Sequence, residues 1–141
     1  MNDVTLAIIK PDAIKNNYTD KIYNHILDTD FRILGEKTIK MTKNKAEGFY
    51  EIHRGKPFFE ELTTFMSSGE CMVLALSKEN AVNSWRDTIG ATNPKEAAKG
   101  TIRNLYASSL GENAVHGSDS DENAKKEIAF FFTELELINN K

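Results

Sequence analysis

Apolar residues fill nearly every position of two short runs, Val4-Thr5-Leu6-Ala7-Ile8-Ile9 and Cys71-Met72-Val73-Leu74-Ala75-Leu76. Runs of this length without polar alternation predict central strands buried on both faces. Lys10 stands at the exit of the first run, and Pro11 both restrains Lys10 to extended geometry and suits the first turn of a helix. Between Thr19 and Thr29, Ile22, Tyr23, Ile26 and Leu27 recur at helical spacing and predict a helix packed on the sheet. Phe31 to Met41 alternates only in part and reads as a longer, more exposed strand, with Gly35 marking a bulge. Thr42 suits the cap of a short helix carrying Ala46, Phe49 and Tyr50. Pro57 suits the start of another, with Phe58, Leu62, Phe65 and Met66 as its stripe. Ser77 is expected to cap a helix that buries Ala81, Val82, Trp85 and Ile89 and carries Arg86 near its end.

From Gly90 to about Glu112 turn residues dominate, which predicts a long irregular connection with at most a turn or two of helix. Thr92, Arg103 and Leu110 mark it as an ordered, ligand-facing loop. Ala114-Val115-His116 predicts a short last strand, and Ser120 to Phe132 a helix whose Ala124, Ile128, Phe131 and Phe132 face the core. This order predicts an α+β fold: a ferredoxin-like βαββαβ arrangement with a four-stranded antiparallel sheet and helices packed on one face.

Composition adds bounds. A chain of 141 residues can bury one substantial core, so residues 1–141 are expected to form a single domain. A hydrophobic share of 40% and a net charge of −3 give no global attraction to nucleic acid or an anionic membrane, so an anionic ligand needs a local basic cluster. The single cysteine, Cys71, reads as a buried structural thiol in a reducing compartment. Met1-Asn2-Asp3 leads straight into the first strand without the basic start of a signal peptide, and no apolar run approaches membrane-spanning length. A cytoplasmic protein is expected.

The chemistry concentrates in Asn113-Ala114-Val115-His116-Gly117-Ser118-Asp119-Ser120. A lone histidine is more often structural than catalytic. Here, however, Gly117 lets the backbone turn sharply beside the ring, the three small polar residues after it can cap a helix, and Ser118 and Ser120 offer hydroxyls to an anion or an imidazole. That is a presented nucleophile. Neither G-x-x-x-x-G-K-[ST] nor a glycine-rich dinucleotide pattern occurs, so phosphate must be held by side chains. Lys10, Arg86 and Arg103 each read singly as surface charges; their value lies in convergence. Glu127, two turns beyond Ser120, borders the buried face of its helix, where it either orients His116 and Ser118 or stays a solvated flank residue. Asp119, Asp121 and Glu122 satisfy that helix's own dipole, which argues against phosphates on this helix end.

With these residues in view, the chain resembles the nucleoside diphosphate kinases along essentially its full length. The Asn113–Ser120 stretch is similar to the family's N-x-x-H-G-S-D signature. Ile9-Lys10-Pro11-Asp12, Lys56-Pro57-Phe58-Phe59, Gly90-Ala91-Thr92-Asn93-Pro94 and Gly100-Thr101-Ile102-Arg103 follow in the family's order and spacing. The resemblance implies a ping-pong phosphotransferase in which His116 takes the γ-phosphate from a nucleoside triphosphate, usually ATP, and passes it to a nucleoside diphosphate, ribo or deoxyribo. It implies that Lys10 and Asn113 meet the sugar hydroxyls and nearby phosphate, and that Arg86, Thr92 and Arg103 hold the β- and γ-phosphates. Tyr50 and Ser118 would line the transferring group, Glu127 would support Ser118 and His116, and Phe58 would stack on the base with Leu110 on its other face. Mg²⁺ would bridge the phosphates, with no protein ligand of its own, and the family's tetramers or hexamers imply a homo-oligomer. A neutral imidazole is a competent nucleophile, and phosphoryl transfer is mainly positioning and charge neutralisation, so the residues agree with the resemblance.

Thr19 stands where the family commonly has glycine, Glu70 where proline often occurs, and Glu112 where arginine often precedes the active-site Asn. The reversed charge at 112 weakens any phosphate-side role there, and the chain ends soon after Leu137, without the longer tail of some members. Two rival readings are a non-catalytic nucleotide sensor on the same fold and a phosphohydrolase. A degenerate sensor is expected to lose His116 or the phosphate arginines, which this chain keeps.

Overall fold

β1 (Val4–Ile9) and β3 (Cys71–Ser77) pair antiparallel along their whole length, from Val4 opposite Ser77 to Ile9 opposite Met72. β2 (Arg32–Ile39) flanks β3, and β4 (Val115–Gly117) flanks β1, both antiparallel. The order β2-β3-β1-β4 puts the two apolar runs in the centre and the part-polar strands at the edges, in the ferredoxin-like α+β fold. The computed structural model describes residues 3–138; Met1, Asn2 and the last three residues, on which the leader and tail readings partly rest, lie outside them.

Helices cover both faces of the sheet, which corrects the one-face expectation. Leu6, Ile8, Cys71, Val73 and Ala75 point into one core with α3 (Lys43–Phe49), α4 (Phe59–Met66) and α7 (Asp121–Phe131). Ala7, Ile9, Leu74 and Leu76 point into the other with α1 (Pro11–Lys15), α2 (Thr19–Asp28), α5 (Ala81–Ile89) and α6 (Ile102–Tyr106). A strand apolar at consecutive positions has two apolar faces, and each needs its own layer.

Local signals read from the sequence reappear as hydrogen bonds. Pro11 opens α1, the Thr42 hydroxyl accepts the Lys45 N–H at the start of α3, and the Ser120 hydroxyl accepts the Asn123 N–H at the start of α7. The register of β2 shifts between Ile33 and Gly35, where the bulge was expected. Ser77 does not cap α5: it ends β3, and Asn80, in the left-handed region at φ 52°, occupies the cap position. Pro57 precedes α4 by two residues instead of opening it. The long connection contains one 3₁₀ turn, Pro94–Glu96, and α6. A further helix, α8 (Glu134–Ile138), had a readable signature: Thr133 and Glu136 cap each other, with N–H to side-chain bonds of 2.9 and 3.2 Å. Among the described residues no helix is long and apolar enough to cross a membrane.

Candidate active site

β4 is only three residues long, yet it fixes the histidine on the sheet, with His116 opposite Ile8 of β1. The Trp85 indole N–H on α5 donates to the His116 carbonyl at 3.0 Å. Gly117 is needed for close approach: a Cβ there would lie 2.8 Å from Trp85 Cδ1. The expectation of a sharp glycine turn is corrected, because Gly117 is not among the residues with positive φ. The positive φ belongs to Ala114, at 72°.

His116 Nε2 lies 2.8 Å from Glu127 Oε1, and the same carboxylate oxygen accepts the Ser118 hydroxyl at 2.8 Å. Ser118 is fully buried and its oxygen also accepts the Leu6 N–H at 3.2 Å, so the Ser118–Glu127 pair is tied to β1. A carboxylate can only accept, so Nε2 is the nitrogen that carries hydrogen toward Glu127, and in a neutral ring the lone pair then lies on Nδ1. The ring rests edge-to-face against Phe49 at 5.4 Å, and Tyr50 lies 6.5 Å away. The Tyr50 hydroxyl is buried without a partner, and burial, reinforced by the Glu127 charge, pushes its pKa up and keeps it a phenol.

Arg103 and Lys10 approach from other elements. The Arg103 guanidinium donates to the carbonyls of Asn113 (3.4 Å), Gly90 (3.0 Å) and Val115 (2.9 Å), which ties the long connection to β4. Lys10 Nζ donates to Asn113 Oδ1 at 2.9 Å, and the Asn113 amide donates to the Thr92 carbonyl at 3.3 Å. Arg86, by contrast, is exposed, and among the described residues its guanidinium has no hydrogen-bond or ion-pair partner. Arg86, Thr92, Arg103, His116 and Gly117 line one cleft of about 350 Å³. A larger apolar hollow of about 440 Å³ lies beside α7 and α8, lined by Leu34, Phe132 and Leu137, and holds none of these groups.

Burial lowers the Arg103 pKa to about 10, with Arg86 adding repulsion, so the guanidinium stays charged at neutral pH. Burial, then Arg103, lowers Lys10 to about 8, against a partial rise from Asp12. The sign follows from linkage: between about 8 and 10.5 the unfolded chain holds this proton and the folded chain does not, so stability rises with pH across that window. The gap corresponds to roughly 3 kcal/mol of charge-burial penalty at neutral pH. Lys10→Met should therefore stabilise the apo-protein at pH 7 by a net of about 1–2 kcal/mol, less than the full penalty because Asn113 loses its donor; the gain should be cancelled near pH 9 and reversed by pH 10.5. Thermal melts at several pH values check this.

Phe58 and Leu110 are not gathered into the cleft. They are 47% and 61% exposed, and Phe58 packs beside His53 with ring centroids 5.4 Å apart.

The family model for nucleoside diphosphate kinase matches residues 3–137. The chain belongs to the nucleoside diphosphate kinase family. Relatives named nucleoside diphosphate kinase include a protein of Wolbachia sp. subsp. Drosophila simulans, 56% identical over 95% of this chain and 96% of its own length. Another, from Geotalea uraniireducens, is 54% identical over 95% and 98%. Among solved structures, the Aquifex aeolicus nucleoside diphosphate kinase superposes with a TM-score of 0.94 at 40% identity, covering 96% of this chain and 98% of that one. A Halobacterium salinarum nucleoside diphosphate kinase in complex with CDP gives 0.90 at 32% identity, covering 95% and 90%. Transferase, kinase and nucleotide-binding character come with this phosphotransferase family.

Several residues of this nucleoside diphosphate kinase fold that shape the site were not singled out in the sequence. Asp12 Oδ2 accepts the Ala114 N–H at 3.0 Å, and Phe49 walls the histidine. His53 Nδ1 is buried without a partner beside Tyr50. Trp85 was read only as core; a buried indole N–H needing an acceptor was the available signal.

Proposed function

We propose that this chain transfers the γ-phosphate of a nucleoside triphosphate, usually ATP, to a nucleoside diphosphate through a phosphohistidine on His116. The supporting observation is the 2.8 Å contact between His116 Nε2 and Glu127 Oε1, which leaves Nδ1 as the free nucleophile beside a cleft lined by Arg86 and Arg103. Nδ1 attacks the γ-phosphorus, its bond to the β–γ bridging oxygen breaks, and the diphosphate leaves. The acceptor diphosphate then reverses the step. Glu127 offsets the positive charge of the phosphorylated ring, and Ser118, buried behind it, acts through that carboxylate. In this reading Arg86, Thr92 and Arg103 meet the β- and γ-phosphates, Lys10 and Asn113 the sugar hydroxyls and nearby phosphate, and Tyr50 the transferring group. Mg²⁺ enters with the nucleotide as part of the substrate. Among the described residues no group of three or more His, Cys, Asp or Glu side chains is arranged for a metal, and arginines suit phosphate oxygens. We place the activity in one domain spanning residues 1–141, in the cytoplasm, as a homo-oligomer, tetramer or hexamer.

Incubation with ATP and GDP tests the reading. The expected product is GTP; free phosphate alone would mark a hydrolase, and no turnover a sensor.

Phe58 and Leu110, each exposed in the unliganded protein, are the proposed base clamp, and stacking on an aromatic ring is open to every base. Ribo- and deoxyribonucleotides should both serve. Phe58→Ala should weaken all nucleotides by about 1–3 kcal/mol. Comparing kcat/KM for ADP, GDP, CDP, UDP and dGDP checks it, and a preference above about a thousandfold would demand hydrogen-bond readout of the base.

A further inference from the structure

The backbone two residues before the nucleophile is wound into a conformation that its side chain does not favour. Ala114 has φ 72°, and the Val115 N–H returns to the Asn113 carbonyl at 2.8 Å, closing a γ-turn around Ala114. Alanine carries a Cβ that disfavours this region, so something outside the turn must hold it. Two groups do so, one at the exit of β1 and one in the first turn of α1. The Ala114 carbonyl accepts the Lys10 N–H at 2.8 Å, and the Ala114 N–H donates to Asp12 Oδ2 at 3.0 Å. Ala114 is fully buried and Asp12 is 3% exposed, so water cannot replace either bond.

The turn separates the two sides of the site. Asn113 on one side bonds Lys10 Nζ and the Thr92 carbonyl, and His116 on the other bonds Glu127. Arg103 bridges it through the Asn113 and Val115 carbonyls. If Ala114 relaxed to negative φ, Asn113 and Arg103 would rotate relative to the imidazole. The Asp12 carboxylate is buried and is held by the Ala114 N–H and the neighbouring Lys10 charge, so its orientation is fixed.

We propose that Asp12 is a positioning residue for phosphoryl transfer, its carboxylate holding Ala114 in the left-handed turn that aligns Asn113, Arg103 and His116. The proposal rests on the histidine-transfer reading above. Burial raises the Asp12 pKa, which fits a group retained for geometry at an electrostatic expense.

The test compares wild type, Asp12→Ala, Asp12→Asn and Asp12→Ala/Ala114→Gly, each shown folded by circular dichroism and a thermal melt. Formation of acid-labile phosphoenzyme from saturating ATP is timed in a single turnover, with KM measured separately. Asp12→Ala should slow phosphorylation about 10- to 100-fold with a smaller change in KM, the range expected when reacting groups are misaligned. Asp12→Asn keeps an acceptor oxygen and should recover most of that rate. Adding Ala114→Gly should also restore at least about fivefold, because glycine adopts positive φ without a tether. Loss of stability alone predicts neither rescue. A wild-type rate in Asp12→Ala, or a folded double variant no faster than Asp12→Ala, overturns the proposal. If wild type itself forms no phosphoenzyme, the histidine-transfer reading fails instead.

Discussion

His116→Ala should abolish phosphoenzyme formation and cut GTP synthesis from ATP and GDP by at least about 10⁴-fold, the scale of loss when a covalent nucleophile is removed. The folded structure should survive. What β4 contributes to the sheet passes through backbone pairing opposite β1 and through the His116 carbonyl that accepts the Trp85 N–H, and alanine keeps both. The Glu127 carboxylate loses the imidazole but retains the Ser118 hydroxyl. Unchanged nucleotide affinity in the variant, measured by calorimetry, would separate the chemical loss from a binding loss. Full GTP synthesis by folded His116→Ala would remove His116 from the reaction.

Removal of Arg103 should have the next largest effect, and its pattern should differ from that of Arg86. Arg103 is buried and holds three backbone carbonyls from Gly90 to Val115, so its guanidinium both shapes the cleft and carries a charge into it. Even Arg103→Lys cannot reach three acceptors from one ammonium in that fork geometry. It should lower kcat about 10²- to 10³-fold and lower Tm, because buried carbonyls lose their donors. Arg86 is exposed and has no hydrogen-bond or ion-pair partner among the described residues, so Arg86→Ala should reduce transfer with little change in Tm. In both variants the affinity for adenosine should change far less than the rate with ATP, since each guanidinium is proposed to meet phosphate. Equal losses for adenosine and ATP would contradict these roles.

The sequence announced most of the architecture because its strongest signals were local. The runs at residues 4–9 and 71–76 had only one way to be buried, at the centre of a sheet, and Thr42, Ser120 and Gly35 carry their reasons within a few residues. The histidine stood out through its motif, whereas helical spacing left Glu127 either orienting His116 or solvated, and only the folded chain shows the 2.8 Å contact between them. Contacts between distant segments were not. Asp12 meets Ala114 across 102 positions and Ser118 meets Leu6 across 112, and neither chemistry nor period relates such pairs. Gly117 was read as a turn because glycine has two uses, and only the Trp85 ring 2.8 Å from its missing Cβ shows that close approach is the one employed. The layer on the second face of the sheet followed from the unbroken apolar runs once both of their faces were counted.

In the proposed reaction the Nδ1 atom of His116 carries the phosphate, because Nε2 is occupied by Glu127 at 2.8 Å. The direct measurement is to incubate the wild-type protein with ATP and no acceptor, isolate the phosphoprotein, and assign the bond by ³¹P–¹⁵N NMR and by mapping the modified peptide. The expected product is an acid-labile, base-stable phosphoramidate on Nδ1 of His116 that is discharged by added GDP. Phosphate on Nε2, or an acid-stable ester on Ser118 or Ser120, would contradict it.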